Sequence, residues 1–214
     1  MFVRSQMVRT PITVNWDQSI PDAQSLMTLH NVKHLPVMDG DRVVGVVSRT
    51  DIAHASPSSA SSLSFSELTY ILAKTKIKNI MTKNLVSIGP DALLEEAATL
   101  MRDKGTSFLP VLEDGRLVGV ITESGIFDAF IDLLGFRMPG TRLTIEVQDK
   151  GPGVIEEIAG IFADFNASIH NIAVFRSPDD RCDIVVGTID KDTDALETAL
   201  SEHGYQIVSR LKND

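Results

Sequence analysis

An internal repeat restricts the possible folds of this sequence more than any other feature. Residues 7–52 align without gaps with residues 81–126, at an offset of 74 positions and with about 13 identities among about 46 pairs. The identical segments include Leu35-Pro36-Val37 with Leu109-Pro110-Val111, and Val44-Gly45-Val46 with Val118-Gly119-Val120. One copy of such a unit seldom buries its own apolar surface. The repeat therefore predicts that two copies pack face to face into one domain.

Each copy shows the same order of predicted elements: a short strand, an amphipathic helix, a strand, a tight acidic turn with glycine, a second strand and a final helix. The strand after the glycine turn is a nearly unbroken apolar run, so we expect it to be buried on both faces. The final helices open at Thr50-Asp51 and Glu123-Ser124, where hydroxyl and carboxylate side chains can cap free backbone amides. The predicted strands are 12–14, 35–38 and 42–48 in copy one, and 86–88, 108–112 and 117–122 in copy two.

The C-terminal part of the chain, residues 141–214, does not match the repeat. It contains 7 basic and 14 acidic residues, against 13 and 15 in residues 1–140, and this change indicates a boundary near residue 140. The hydrophobic patterns predict strands at 143–147, 168–175, 182–189 and 205–211, with one helix after Pro152 and another at 193–203. The order βαββαβ predicts a four-stranded antiparallel sheet with two helices on one face. The edges of so small a sheet favour pairing with a second copy.

Composition and motifs argue against several functional classes. The net charge of −9 disfavours nucleic acid as a partner, and no apolar run is long enough for a membrane span. The single cysteine, Cys182, and the absence of a signal-peptide core predict a cytoplasmic protein. His30 and His34 have a metal-ligand spacing, but the glutamate of a zinc-protease motif is absent, so we expect no metal. No convincing nucleophile–base pair, phosphate loop or dinucleotide motif is present, so we expect no catalytic residues and no cofactor.

The repeat resembles a pair of CBS domains, because both copies carry a Leu-Pro-Val segment, an acidic turn with glycine and a Val-Gly-Val segment. This resemblance covers Met7–Ala55 and Met81–Ala129. The C-terminal part resembles an ACT domain, on its βαββαβ order and Asp149, Pro152 and Gly153. The whole arrangement is similar to the AcuB-type acetoin-utilisation proteins. The implied fold class is α/β (α+β), with CBS domain 1 at 1–56, a Ser-rich linker and helix at 57–80, CBS domain 2 at 81–138 and the ferredoxin-like ACT domain at 139–214.

The CBS resemblance implies an adenosine-containing ligand, namely AMP, ADP, ATP or S-adenosylmethionine, in the cleft between the copies. A carboxylate can accept hydrogen bonds from both ribose hydroxyls, whereas a phosphate needs amides, hydroxyls and a cation. Copy one offers Asp51 for the ribose, Ser48 and Thr50 for phosphate, and Lys33 and His34 as basic contacts. The alternative is that Ser48, Thr50 and Asp51 only cap a helix.

Copy two departs from this pattern. Asp51 aligns with Gly125, and Lys33-His34 align with Ser107-Phe108, whereas Thr122 and Ser124 keep the hydroxyls. We therefore expect one good nucleotide site and a second site that is degraded or used differently.

The ACT resemblance implies an effector site, often for an amino acid and often at a dimer interface. The residues it assigns are Asp149, Gly153, Asn166 and Ile169. Free amides at a helix start suit a carboxylate, and Asp149 suits an ammonium group. The alternative is that this unit only dimerises.

Together these features predict a non-enzymatic, cytoplasmic, ligand-sensing regulatory protein that forms a homodimer, with acetoin utilisation as the setting that the resemblance implies. Two alternatives stay open: an enzyme of acetoin or acyl metabolism, and a ligand-free assembly scaffold.

Overall fold

The structure, a computed structural model, describes residues 1–55, 64–147, 152–176 and 182–213. Its contacts divide the chain into two compact units, Met1–Ile126 and Phe127–Asp214, which we call unit one and unit two. Most of the predicted Ser-rich linker lies outside the described residues. No helix within the described ranges has both the length and the apolar character needed to cross a membrane. The predicted domain boundaries at 56, 80 and 138 remain predictions.

Copy one of the repeat forms a small three-stranded sheet with flanking helices. α1 (Val3–Gln6) precedes copy one, and the Val3 backbone N–H donates to Ala92 of copy two. The elements of copy one are β1 (Val14–Asn15), α2 (Ile20–Leu29), β2 (His34–Asp39), β3 (Arg42–Ser48) and α3 (Arg49–Ala55). β1 pairs with β2 in parallel, and β2 pairs with β3 antiparallel. Along β3, buried and partly exposed residues alternate. Burial on both faces is thus incomplete in β3, although Val44 on the less buried face also packs against the core. In the equivalent strand of copy two, the consecutive residues Gly119, Val120 and Ile121 are all buried.

The segment before copy two and copy two itself contain α4 (Phe65–Lys74), a 3-10 turn (Ile77–Asn79), α5 (Leu94–Lys104), β4 (Phe108–Glu113), β5 (Arg116–Thr122) and α6 (Glu123–Leu133). β4 and β5 form an antiparallel pair. The predicted strand at 86–88 is wrong, since it is reduced to a single parallel bridge between Ile88 and Val111. In copy one the backbone N–H of Trp16 extends the equivalent pairing by donating to Met38. Proline occupies the equivalent position in copy two, Pro90, and has no N–H to donate.

The two copies exchange their first residues and the segments that precede them. The backbones of Val46 and Thr82 donate to each other at 3.1 and 2.9 Å, and those of Val8 and Val120 do so at 2.9 and 3.0 Å. Ile77, which precedes copy two, is fully buried in the hydrophobic core of copy one. Each copy therefore completes the fold of the other.

Glycine is required where the exchanged segments meet β3 of copy one and β5 of copy two. A Cβ added at Gly45 would lie 2.7 Å from the carbonyl oxygen of Thr82, and one at Gly119 would lie 2.9 Å from that of Val8. Real Cβ atoms do not approach backbone oxygens so closely. The glycine shared by the two Val-Gly-Val segments is thus explained by an equivalent close backbone approach in each copy.

Unit two forms a four-stranded antiparallel sheet in the order β7-β8-β6-β9. Its elements are β6 (Gly140–Val147), α7 (Val154–Asp164), β7 (Ile169–Arg176), β8 (Cys182–Thr188), α8 (Asp194–Glu202) and β9 (Gln206–Asn213). This confirms the predicted βαββαβ order. The core joins one face of β6 and β8 to both helices, for example through Leu143, Phe162 and Leu200.

Candidate ligand-binding site

A cleft of about 440 Å³ lies between the two copies within unit one. Both copies line it, and its mouth is open to solvent. Copy one contributes His34, Val46, Ser48 and Asp51, and copy two contributes Thr82, Asn84, Val86 and the run Lys104–Phe108. A volume of this size lies within the range of small-molecule sites in proteins.

The exchange of segments builds this cleft. Thr82 is held against β3 by its two backbone hydrogen bonds to Val46, so the residues that follow it run along the cleft wall. On the other wall, α5 ends at Gly105, which adopts a left-handed conformation with φ of 62°. Glycine tolerates this conformation, and the chain turns there to present Thr106 and Ser107 to the cleft. Residues far apart in sequence thereby face one another.

Asp51 is the one carboxylate among the residues that line the cleft. Its Oδ2 accepts hydrogen bonds from the Ser48 backbone N–H and from the Ser48 hydroxyl, both at 2.7 Å. The Asp51 backbone N–H donates in turn to the Ser48 hydroxyl oxygen at 3.1 Å. This reciprocal arrangement is a capping box at the start of α3. Among the described residues, no hydrogen bond uses Oδ1 of Asp51, so this oxygen can accept from a ligand.

Two rings, one from each copy, stack on each other in the cleft. The imidazole of His34 stacks on the ring of Phe108, with ring centroids 5.1 Å apart and planes inclined by 19°. His34 and Phe108 are equivalent positions of the repeat. Burial lowers the pKa of His34 below its ordinary value, the nearby Asp51 carboxylate raises it, and Lys33 lowers it.

Some predicted residues lie outside this cleft. Lys33 and Thr50 are exposed and do not line it. Thr122 and Ser124 lie at the equivalent helix start of copy two, where their hydroxyl oxygens are 3.1 Å apart. The backbone N–H of Gly125 donates to the Thr122 hydroxyl at 3.1 Å, so copy two keeps part of the cap without the carboxylate.

The sequence interpretation missed the wall that copy two supplies. Thr82, Asn84, Lys104, Thr106 and Ser107 line the cleft but were not among the predicted site residues. The repeat carried a signal for one of them, since Ser107 aligns with Lys33, a predicted basic contact. In the cleft, the residues that follow α5 line one side, and Val46 and Ser48 of β3 line another.

The predicted effector residues of unit two occupy separate local features. Gly153 precedes α7 with φ of 101°, Asn166 follows it with φ of 53°, and Ile169 packs against the core at the start of β7. Asp149 lies outside the described residues. Glu156 and Glu157 occupy the first turn of α7 and already supply negative charge there. Among the described residues, no group of three or more His, Cys, Asp or Glu side chains is arranged to hold a metal.

Comparison with known protein families agrees with this architecture. The family model of the CBS domain matches residues 3–58 and 77–132, just over half of the chain, and that of the ACT domain matches residues 141–204. The chain belongs to the CBS domain family. It carries a tandem CBS pair followed by an ACT domain, as the sequence predicted.

Similar proteins extend over the CBS pair. The chain is 32% identical over 124 residues to an inosine-5'-monophosphate dehydrogenase of Korarchaeum cryptofilum. The match covers 58% of this chain but only 23% of the dehydrogenase. The crystal structure of a protein described as an acetoin utilization protein (AcuB) from Vibrio cholerae has a TM-score of 0.54 and 28% identity, and covers 64% of this chain and 94% of that one.

Two similar solved structures contain adenosine compounds. The CBS domain pair of protein MJ0100, in complex with 5'-methylthioadenosine and S-adenosylmethionine, has a TM-score of 0.51 and 29% identity over 61% of this chain and 95% of its own. The protein CBSX2, in complex with AMP, has a TM-score of 0.51 and 27% identity over 61% of this chain and 96% of its own. CBS pairs related to this one therefore bind adenosine-containing ligands.

Proposed function

We propose that this protein is a non-enzymatic regulatory sensor that binds one adenosine-containing ligand per chain in the cleft between its CBS domains. The observation that carries the proposal is the meeting of Ser48 and Asp51 from copy one with the hydroxyl-rich wall of copy two in one cleft. The bound ligand would then favour one packing of the two copies over another, to the extent that its affinity differs between the two packings.

The chemistry of the cleft suits the parts that such ligands share. The free Oδ1 of Asp51 can accept from a ribose hydroxyl, and a charge-assisted bond of this kind is stronger than a neutral one. Val46 and Val86 offer apolar contact for a purine ring. Thr82, Asn84 and Ser107 supply hydroxyl and amide donors for the group at the ribose 5' position, whereas the Thr106 hydroxyl already donates to the Phe108 carbonyl oxygen at 3.0 Å.

The ligands of related CBS pairs support the proposal. 5'-Methylthioadenosine, S-adenosylmethionine and AMP share adenosine and differ in the substituent at the ribose 5' carbon. Asp51 is therefore assigned to the common ribose, and His34 together with the copy-two wall is assigned to the variable substituent.

Binding and turnover are measured together in one experiment. Equilibrium dialysis with AMP, ATP and S-adenosylmethionine, followed by mass spectrometry of the recovered ligand, should give saturable binding of at least one of them without chemical change. Conversion of the ligand would favour the enzyme alternative, and binding of none of them would favour the scaffold.

For the ACT domain we propose homodimerisation, with or without an amino-acid effector. β7 lies at an edge of the sheet and exposes Ile172, Val174 and Phe175, which are 40%, 45% and 46% exposed. An exposed apolar edge strand is costly unless another chain covers it. Sedimentation at micromolar concentration should give twice the 23.4 kDa of one chain, and Val174→Lys should shift the equilibrium toward the monomer.

The amino-acid effector is assigned to the loop around Asp149 and Gly153 together with Asn166 and Ile169. A thermal-shift screen of the proteinogenic amino acids should raise the melting temperature of the parent protein but not of Asp149→Ala. A screen without any shift would leave dimerisation as the role of this domain.

We place the protein in the cytoplasm and in acetoin utilisation. The similarity to the Vibrio cholerae AcuB structure supports this setting. Deletion of the gene should impair growth of its host on acetoin as sole carbon source, and normal growth would remove acetoin utilisation from the account.

A further inference from the structure

His34 is the one side chain lining the cleft whose ordinary pKa lies near neutral pH. Its imidazole stacks on the ring of Phe108 from the other copy. The stacked pair thus places a group that can gain a proton beside the space where a ligand would bind.

Two charged side chains affect the pKa of His34, and a third lines the same cleft. Asp51, at the start of α3, favours the protonated imidazole, and the neighbouring Lys33 disfavours it. Lys104, at the end of α5, is the one lysine or arginine that lines the cleft, and its side chain is exposed. Because burial lowers the pKa of His34 below its ordinary value, it favours the neutral imidazole in the free protein.

We infer that His34 is a proton-controlled selector of ligand charge, which favours phosphate-bearing nucleotides when protonated and the sulfonium-bearing S-adenosylmethionine when neutral. This inference rests on the proposed function of the cleft. A phosphate next to the imidazole stabilises the added proton, and the positively charged sulfonium opposes it.

The direction of the pH dependence follows from linkage. With AMP bound, the pKa of His34 is higher than in the free protein, so the affinity for AMP rises as pH falls and the gain is lost as pH rises through the higher value. With S-adenosylmethionine bound, the pKa of His34 is lower, and the affinity falls as pH falls. Each unit of difference in pKa corresponds to at most about a tenfold change in affinity.

The repeat itself supplies the matched variant. His34→Phe places in copy one the residue that copy two carries at the equivalent position, Phe108, so it keeps an aromatic ring in the stack and removes the proton. AMP also titrates, since a phosphate monoester has a pKa of about 6. Comparing parent and variant with the same ligand cancels this contribution.

Calorimetric titration of the full chain at about pH 6 and about pH 8, with AMP and with S-adenosylmethionine, tests the inference. The ratio of AMP affinity between the two pH values should be about threefold to tenfold larger in the parent than in His34→Phe. The corresponding ratio for S-adenosylmethionine should be smaller in the parent than in the variant.

Equal ratios in parent and variant would overturn the inference and leave the proposed function intact, whereas binding of neither ligand at either pH would contradict the proposed function. If His34→Phe fails to fold, NMR titration of the parent gives the same answer. The His34 ring, assigned by its contact with Phe108, should titrate at higher pH with AMP than without it, and an unchanged midpoint would overturn the inference.

Discussion

Replacing Asp51 with alanine removes the carboxylate of the cleft and separates two roles of one side chain. Through Oδ2, Asp51 accepts from the backbone and hydroxyl of Ser48 and so caps α3. Through Oδ1, it is assigned to the ribose of the ligand. Asp51→Ala should therefore weaken binding and also lower stability.

The two effects have separate magnitudes. Loss of one or two charge-assisted hydrogen bonds to the ribose costs about 1–3 kcal/mol of binding free energy, which is a fall in affinity of about 5-fold to 150-fold. Loss of the capping box costs about 1 kcal/mol of unfolding free energy, or about 2–6 °C in melting temperature for a unit of this size.

The chain contains a matched control for the capping role. At the start of α2, Ser19 and Asp22 form the same reciprocal box, with the Asp22 carboxylate accepting from the Ser19 backbone N–H at 2.9 Å and from its hydroxyl at 2.6 Å. Asp22 does not line the cleft. Asp22→Ala should thus lose similar stability and keep the affinity of the parent protein.

Calorimetric titration and thermal unfolding of the three proteins measure both effects. The assignment predicts reduced affinity in Asp51→Ala alone and reduced melting temperature in both variants. Equal affinity in all three proteins would show that Asp51 only caps the helix, which is the alternative that the sequence left open.

Two further predictions concern glycines. Gly45→Ala should destabilise the protein by about 1–3 kcal/mol in denaturant unfolding, because its Cβ would lie 2.7 Å from the Thr82 carbonyl oxygen. Gly89→Ala is the control, since no atom lies within 4 Å of its Cβ. Equal losses of stability in the two variants would refute the close approach. Gly160→Ala, inside α7 and also without atoms within 4 Å of its Cβ, should stabilise the protein by about 0.5–1 kcal/mol, and a lowered melting temperature would contradict this.

The sequence predicted most of the secondary structure because hydrophobic spacing and turn residues are local signals. The strand at 42–48 has the same bounds in the structure, and the fold of unit two follows the predicted order. The strand at 86–88 failed for a local reason too. Pro90 cannot donate the backbone hydrogen bond that Trp16 makes in copy one.

The exchange of segments between copies could not be predicted from the repeat. Two similar copies give the same hydrophobic pattern whether Thr82 pairs with the strand of its own copy or with that of the other. Only the pairing of Thr82 with Val46 distinguishes the two arrangements. For this reason the predicted residues include Ser48 and Asp51 but not Thr82 and Asn84, which line the same cleft through the exchange.

The position of Lys33 illustrates the same limit. The CBS resemblance suggested that both Lys33 and His34 contact the ligand, but neighbouring residues at the start of a strand point in opposite directions. His34 lines the cleft, and Lys33 is exposed outside it. A motif therefore indicates which segment lies near a ligand more reliably than which side chain contacts it.

The number of ligands bound per chain tests the central claim most directly. Asp51 lines the cleft, whereas Gly125 at the equivalent position supplies no carboxylate, and a Cβ there would meet nothing closer than the Thr122 hydroxyl oxygen at 3.4 Å. Equilibrium dialysis with saturating labelled AMP, or S-adenosylmethionine if that is the ligand that binds, should give one ligand per chain in the parent protein and two in Gly125→Asp. Two ligands per chain in the parent, or none, would contradict a single adenosine site built on Asp51.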